Sequence, residues 1–209
     1  MTATRRQLQY DDTHRRLFDV AVRLMSKSGY HATTVQDIAK AAGVAKGTFF
    51  LHFSTKDAVV IELLRRHASV ARAARSECLA GGGSPLDALR IVVTSLAGEM
   101  GNGSETLRSL LAAMVSSDGV GRHADALLAQ IVADMVTDAR NAQKARLLAS
   151  KPAAESIARS LIALYFGAAL RFATSGEPRD EFAKVVRSHV DDNLAVLTLE
   201  GGHASPKRR

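Results

Sequence analysis

The 209 residues contain one cysteine, no tryptophan and four prolines. A lone Cys78 can neither close an internal disulfide nor supply a cysteine-pair zinc site. So few prolines leave room for long helices, because proline removes a backbone donor and clashes with the turn before it. The histidines, at 14, 31, 52, 67, 123, 189 and 203, never fall at i, i+4 on one helix, and none joins a cysteine. No metal site is therefore expected. No phosphate-binding glycine loop, nucleophile elbow or carboxylate pair is present, so neither an enzyme nor a cofactor is expected. No apolar run approaches the roughly 20 residues that span a bilayer. The start, MTATRRQLQYDDT, has basic residues but no apolar stretch after them. The expectation is a cytoplasmic protein without a membrane partner.

What is present is alanine, leucine and an uneven charge. Apolar residues make up 46% of the chain and charged residues 23%, ordinary values for a globular protein. The net charge is +7. Residues 1–80 hold 13 Lys and Arg against 7 Asp and Glu, and the remainder holds 15 against 14. A basic N-terminal third on a near-neutral body points to a polyanionic partner for that third, or to a solvated basic surface.

The periodicity predicts an all-α fold of about nine helices. Residues 1–10 lack a pattern and are expected to form a mobile arm, with Arg5 and Arg6 able to reach phosphates or a minor groove. A first helix is predicted from about Asp12 to Ser28, with Leu17, Phe18, Ala21, Leu24 and Met25 on one face. Thr34 and Asp37 form a capping box that opens a second helix. Gly43 ends that helix, and a third runs from Ala45 or Lys46 to Phe50 or Leu51. Short helix, glycine turn, short helix is the helix-turn-helix pattern. Phe49 and Phe53 read as core.

A second capping box, Ser54-Thr55-Lys56-Asp57, is expected to open a fourth helix, which ends at Gly81-Gly82-Gly83. Ser84-Pro85-Leu86-Asp87 starts a fifth, running to about Met100. A sixth covers about Glu105–Ser116 and a seventh about Arg122–Leu148, after a break at Asp118-Gly119-Val120-Gly121. An eighth, from Pro152 to about Thr174, is apolar nearly all round. A ninth spans about Arg179–Thr198, and residues 201–209 form a basic, disordered tail. The domain reading is a head at 1–56, a connecting helix at 57–80 and a body at 84–200. Met100, Leu107, Met114, Met135 and Phe166 could line an apolar pocket in the body or form ordinary core, with His123 and Arg171 as polar anchors.

The stretch GYHATTVQDIAKAAGVAKGTFFLHFSTKDAVV resembles the N-terminal DNA-binding segment of TetR-family (TetR/AcrR-like) transcriptional regulators. The likeness covers about Arg15 to Leu64. It rests on Gly29, the Thr33-Thr34 pair, Ile38-Ala39, Ala42-Gly43-Val44, Lys46-Gly47-Thr48, His52-Phe53 and Lys56-Asp57. The resemblance implies a homodimeric repressor that binds a pseudo-palindromic operator and is released by a small apolar or amphipathic effector. It implies that Lys46, Gly47, Thr48 and Phe50 face bases and phosphates, with His52, Thr34 and Lys56 on the DNA backbone. It further implies a four-helix dimer interface from the two last helices, assigned to Leu161, Tyr165, Ala168, Phe182, Val186 and Val190. Phe50 stands where tyrosine is usual and Leu51 where a polar residue is frequent, and Ala45 lacks a capping oxygen. These departures leave room for another reading, an all-α small-molecule sensor or protein-interaction module with a degenerate head.

Overall fold

The computed structural model describes residues 4–99, 103–175 and 179–198. These form nine helices: α1 (Arg5–Ser28), α2 (Val35–Ala41), α3 (Lys46–His52), α4 (Lys56–Ala80), α5 (Pro85–Glu99), α6 (Ser104–Ser116), α7 (Asp118–Lys144), α8 (Ala154–Ser175) and α9 (Arg179–Leu197). No strand occurs among the described residues, only an isolated bridge between Leu148 and Thr198. The all-α expectation holds. Met100 and the tail at 201–209 lie outside the described residues.

Two helices start earlier than the pattern predicted. α1 begins at Arg5, so residues 5–10 are not a free arm. Thr4 caps it, its side-chain oxygen accepting from the Gln7 amide at 3.3 Å. α7 begins at Asp118, with Gly119 and Gly121 inside its first turns. Ser117 provides the start by accepting from the Val120 amide at 3.3 Å. Gly121 is there for space rather than as a break: a Cβ on it would lie 2.9 Å from the Met114 carbonyl oxygen. Gly121→Ala should therefore cost about 1–3 kcal/mol by overpacking, read as a lowered midpoint in a urea melt.

The start of α5 forms as expected. Ser84 and Asp87 exchange cap hydrogen bonds at 3.1 Å in each direction. The cap of α4 does not. Thr55, not Ser54, caps it by accepting from the Ala58 amide at 3.2 Å, and Asp57 is used elsewhere.

The chain divides into two compact units. The first falls within Met1–His67, Asn102–Leu127 and Ala169–Arg179, the second within Ala68–Gly101, Leu128–Ala168 and Asp180–Arg209. In the first, α1 buries Leu17, Phe18, Ala21 and Met25, and α6 buries Leu107 and Leu110. In the second, Leu89, Val92, Met135, Ile157 and Leu194 are fully enclosed. A bidentate ion pair joins α4 to α7 there, Arg75 donating to Asp138 at 2.6 and 2.7 Å.

The residues assigned to a dimer interface are in this second interior. Leu161, Phe182, Val186 and Val190 are 0–2% exposed, Tyr165 4% and Ala168 8%. The Tyr165 and Phe182 rings meet at 5.9 Å between centroids. Their stripe is covered by the same protomer, and other residues of these helices are left outside. On α8 these include Ala163, Gly167 and Leu170, and on α9 Val196. By length and composition α8 could cross a membrane, a test that core helices also pass.

Candidate nucleic-acid interface

The Thr34 hydroxyl accepts from the Asp37 amide at 3.2 Å, and Asp37 accepts from the Thr34 amide at 3.1 Å and from its hydroxyl at 2.6 Å. These bonds hold the exposed Asp37 carboxyl below its ordinary pKa. The reciprocal cap fixes the first turn of α2. Gly43 then takes φ +69°, a left-handed conformation that favours glycine, and the Val44 amide returns to the Ala39 carbonyl at 3.0 Å. Small, buried Ala39 and Ala42 lie at the end of α2.

This local frame decides what α3 shows to solvent. Phe49 and, just beyond α3, Phe53 are buried, as expected of core. Lys46 and Gly47 are exposed, as is Thr34, while Thr48 is half-buried. Phe50 is 49% exposed and Leu51 74%. This short helix thus offers a cation, a residue without a side chain and two apolar groups. A helix of this breadth fits the major groove, where lysine meets phosphate or guanine and an apolar group meets the thymine methyl.

Two residues expected on the DNA backbone face inward instead. His52 is half-buried, with its ring 4.2 Å from that of Tyr10. Its Nδ1 is buried without a partner, and burial followed by the neighbouring His14 pushes its pKa down. Both effects disfavour a charged imidazole as a phosphate partner. Lys56 is turned back into the protein. Its ammonium donates to the Tyr30 carbonyl at 2.6 Å and the Thr33 carbonyl at 3.1 Å, and sits 4.1 Å from the Tyr30 ring centre. Burial pushes its pKa down. Lys56 therefore clamps the loop before α2 to the start of α4.

Pattern reading missed the groups that brace this head. Tyr10 donates to the Leu51 carbonyl at 3.3 Å, fastening α1 to the end of α3. His14 packs on Phe53 at 4.5 Å and meets Glu62 at 3.0 Å. Tyr30 donates a short hydrogen bond to Asp57, which also accepts from Ser117 at 2.6 Å. Burial and the Asp57 carboxylate push the Tyr30 pKa up to about 12. The Tyr30 and Ser117 partners are 27 and 60 residues away along the chain, so no local signal marks them.

Four of the five residues considered for a body pocket are described, two in each unit. Leu107 and Met114 belong to the first unit, Met135 and Phe166 to the second. Leu107 and Met135 are enclosed, and none of the four lines a described cavity. His123 and Arg171 are exposed; the His123 Nδ1 lies 2.8 Å from the Gly119 carbonyl oxygen of its own helix. Cys78 has Gly83 against it, where a Cβ would come within 2.5 Å of its sulfur. No cluster of His, Cys, Asp or Glu fit for a metal occurs among the described residues.

Residues 17–63 match the model for bacterial regulatory proteins of the tetR family. Over 49 residues, 23% of this chain, it is 47% identical to the transcriptional repressor KstR2 of Rhodococcus jostii, covering 24% of that protein. The curated relatives are matched over 16% to 30% of their own length. Whole-chain likeness appears in structures. The TetR-family regulator PfmR of Thermus thermophilus superposes with a TM-score of 0.70 at 22% identity, covering 88% of this chain and 99% of that one. The T. thermophilus repressor FadR, solved with lauroyl-CoA, superposes with a TM-score of 0.61 at 26% identity, covering 92% and 98%.

Proposed function

Since the chain belongs to the TetR family of bacterial transcriptional regulators, we propose that it is a cytoplasmic, homodimeric, ligand-responsive repressor that reads a pseudo-palindromic operator. The observation that carries this is the exposed face of α3, where Lys46, Gly47, Phe50 and Leu51 stand outward on a braced helix-turn-helix. Two such heads about 34 Å apart, or a little more, would enter successive major grooves on one side of the duplex. Phe50 would meet bases by apolar contact in place of a phenolic hydroxyl. Thr34 would stand at the backbone and Lys46 would supply charge.

The electrostatic part is tested by salt. Affinity for the DNA upstream of its own gene should fall linearly in log–log form with salt concentration. Lys46→Ala, which removes one cation per protomer and two per dimer, should reduce the slope by about 2. Lys56→Ala should leave the slope unchanged and lower thermal stability, because its charge is spent on the Tyr30 and Thr33 carbonyls. Full-length protein without salt-dependent binding to that DNA would overturn the repressor reading in favour of a sensor or protein-docking module.

The second copy would cover the outer face of α8. A side chain added at Gly167 meets no atom within 4 Å in the protomer, so Gly167→Arg should halve the mass in sedimentation while the helix content stays. Leu161→Glu, by contrast, should unfold the protomer. A monomeric parent protein at micromolar concentration would sink the dimer. The effector is a small apolar or amphipathic molecule; the acyl-CoA bound to FadR supports that class. It can release DNA only through its differential affinity for two states, about 10⁴-fold for a nearly complete shift.

A further inference from the structure

We propose a small-molecule site in the first unit, in the cleft between α1, α4 and the start of α6, fitted to a compact uncharged ring compound bearing a hydroxyl. The cleft has a volume of about 540 Å³, within the range of ligand pockets. Phe18, Val22 and Leu63 form its apolar side. A smaller chamber of about 20 Å³ adjoins it. Val22, Ser26, Leu63 and Thr106 line both, so the two are adjacent.

The inner chamber is apolar-walled by Met25, Val60 and Leu110 and carries one unanswered polar group. Ser109 is 7% exposed, and its hydroxyl has no hydrogen-bond partner. That is unusual for this chain. Ser26, Thr94, Ser116 and Thr137 all donate to the carbonyl four residues back. Ser26 also pairs with Thr106 at 2.7 Å. A buried hydroxyl without a partner is costly, and native folds leave few of them.

The chamber has space for a group the size of a hydroxyl and no cation to accompany a buried carboxylate. Arg23 and Lys27 are exposed at the outer rim, opposed by Asp19 and Glu105, so the mouth has no strong preference for charge. The ring of a ligand would lie on Val22 and Leu63 while its hydroxyl reaches Ser109. Such a ligand would wedge α1, which carries the head, against α6. Its effect on DNA rests on the repressor reading, but its binding does not.

The test uses full-length, DNA-free protein with labelled methionine and leucine methyls. Phenol should give saturable shifts at Met25 and Leu63, and benzoate should not. Ser109→Ala should weaken phenol about tenfold, the loss of one hydrogen bond. Val22→Trp, at a half-exposed position, should abolish binding while the remaining spectrum persists. Equal binding of phenol and benzoate, unchanged affinity in Ser109→Ala, or a water on Ser109 with no response to phenol would each overturn the site. Operator affinity measured separately distinguishes a failed site from a failed repressor.

Discussion

Gly47→Leu should leave the protein folded and remove its binding to operator DNA. The two halves of this expectation come from different facts. A Cβ at Gly47 meets no atom within 4 Å, so leucine has no clash inside the protein. Leucine also favours a helix over glycine by about 0.5–1 kcal/mol, so the melting temperature should hold or rise slightly. On DNA the same side chain would stand between α3 and the floor of the groove. Pushing α3 outward would break contacts by its neighbours on both half-sites, each worth about 1–3 kcal/mol for a good base contact. A loss of at least about 100-fold follows at fixed salt. Gel shift or fluorescence anisotropy alongside a thermal melt reads both. If Gly47→Leu bound operator as tightly as the parent, α3 would not be the groove helix.

The second large effect concerns stability. Asp138→Ala should lower the melting temperature by about 6–20 °C. Asp138 is 1% exposed and takes both of its bonds from Arg75, whose side chain is 17% exposed. Removing one member of a buried pair strands the other and costs about 3–5 kcal/mol, and for a chain of this size each kcal/mol shifts the midpoint by about 2–4 °C. Removing both members is different. Arg75→Met with Asp138→Leu should recover most of the loss, because two charges no longer need to be desolvated. A double variant as unstable as the single one would show that the pair's hydrogen bonds, rather than a stranded charge, set the cost.

The head was legible because its signals are short-range. The Thr34–Asp37 box closes over three residues, and Gly43 marks a backbone conformation rather than a contact. The Ser84–Asp87 cap was read for the same reason. The failures also have a common cause. Ser54-Thr55-Lys56-Asp57 looks like a second box, yet Asp57 is drawn away by Tyr30 and Ser117. His52 and Lys56 follow a familiar spacing, but their side chains turn towards Tyr10 and towards the Tyr30 and Thr33 carbonyls. A motif places a residue on a helix; it does not aim a long, flexible side chain.

By itself the sequence determined nine helices, the glycine turn between α2 and α3, and which of Phe49, Phe50 and Phe53 go inside. Each depends on periodicity or on neighbours within four positions. Tertiary structure alone decided what covers each apolar stripe. Leu161, Val186 and Val190 are apolar at helical spacing whether a second copy or the same chain packs against them, and here the same chain does. It alone also assigned Lys56 to two carbonyls and left the Ser109 hydroxyl unpaired beside a cleft. Burial and hydrogen bonding between distant segments depend on three-dimensional proximity, which a one-dimensional pattern does not contain.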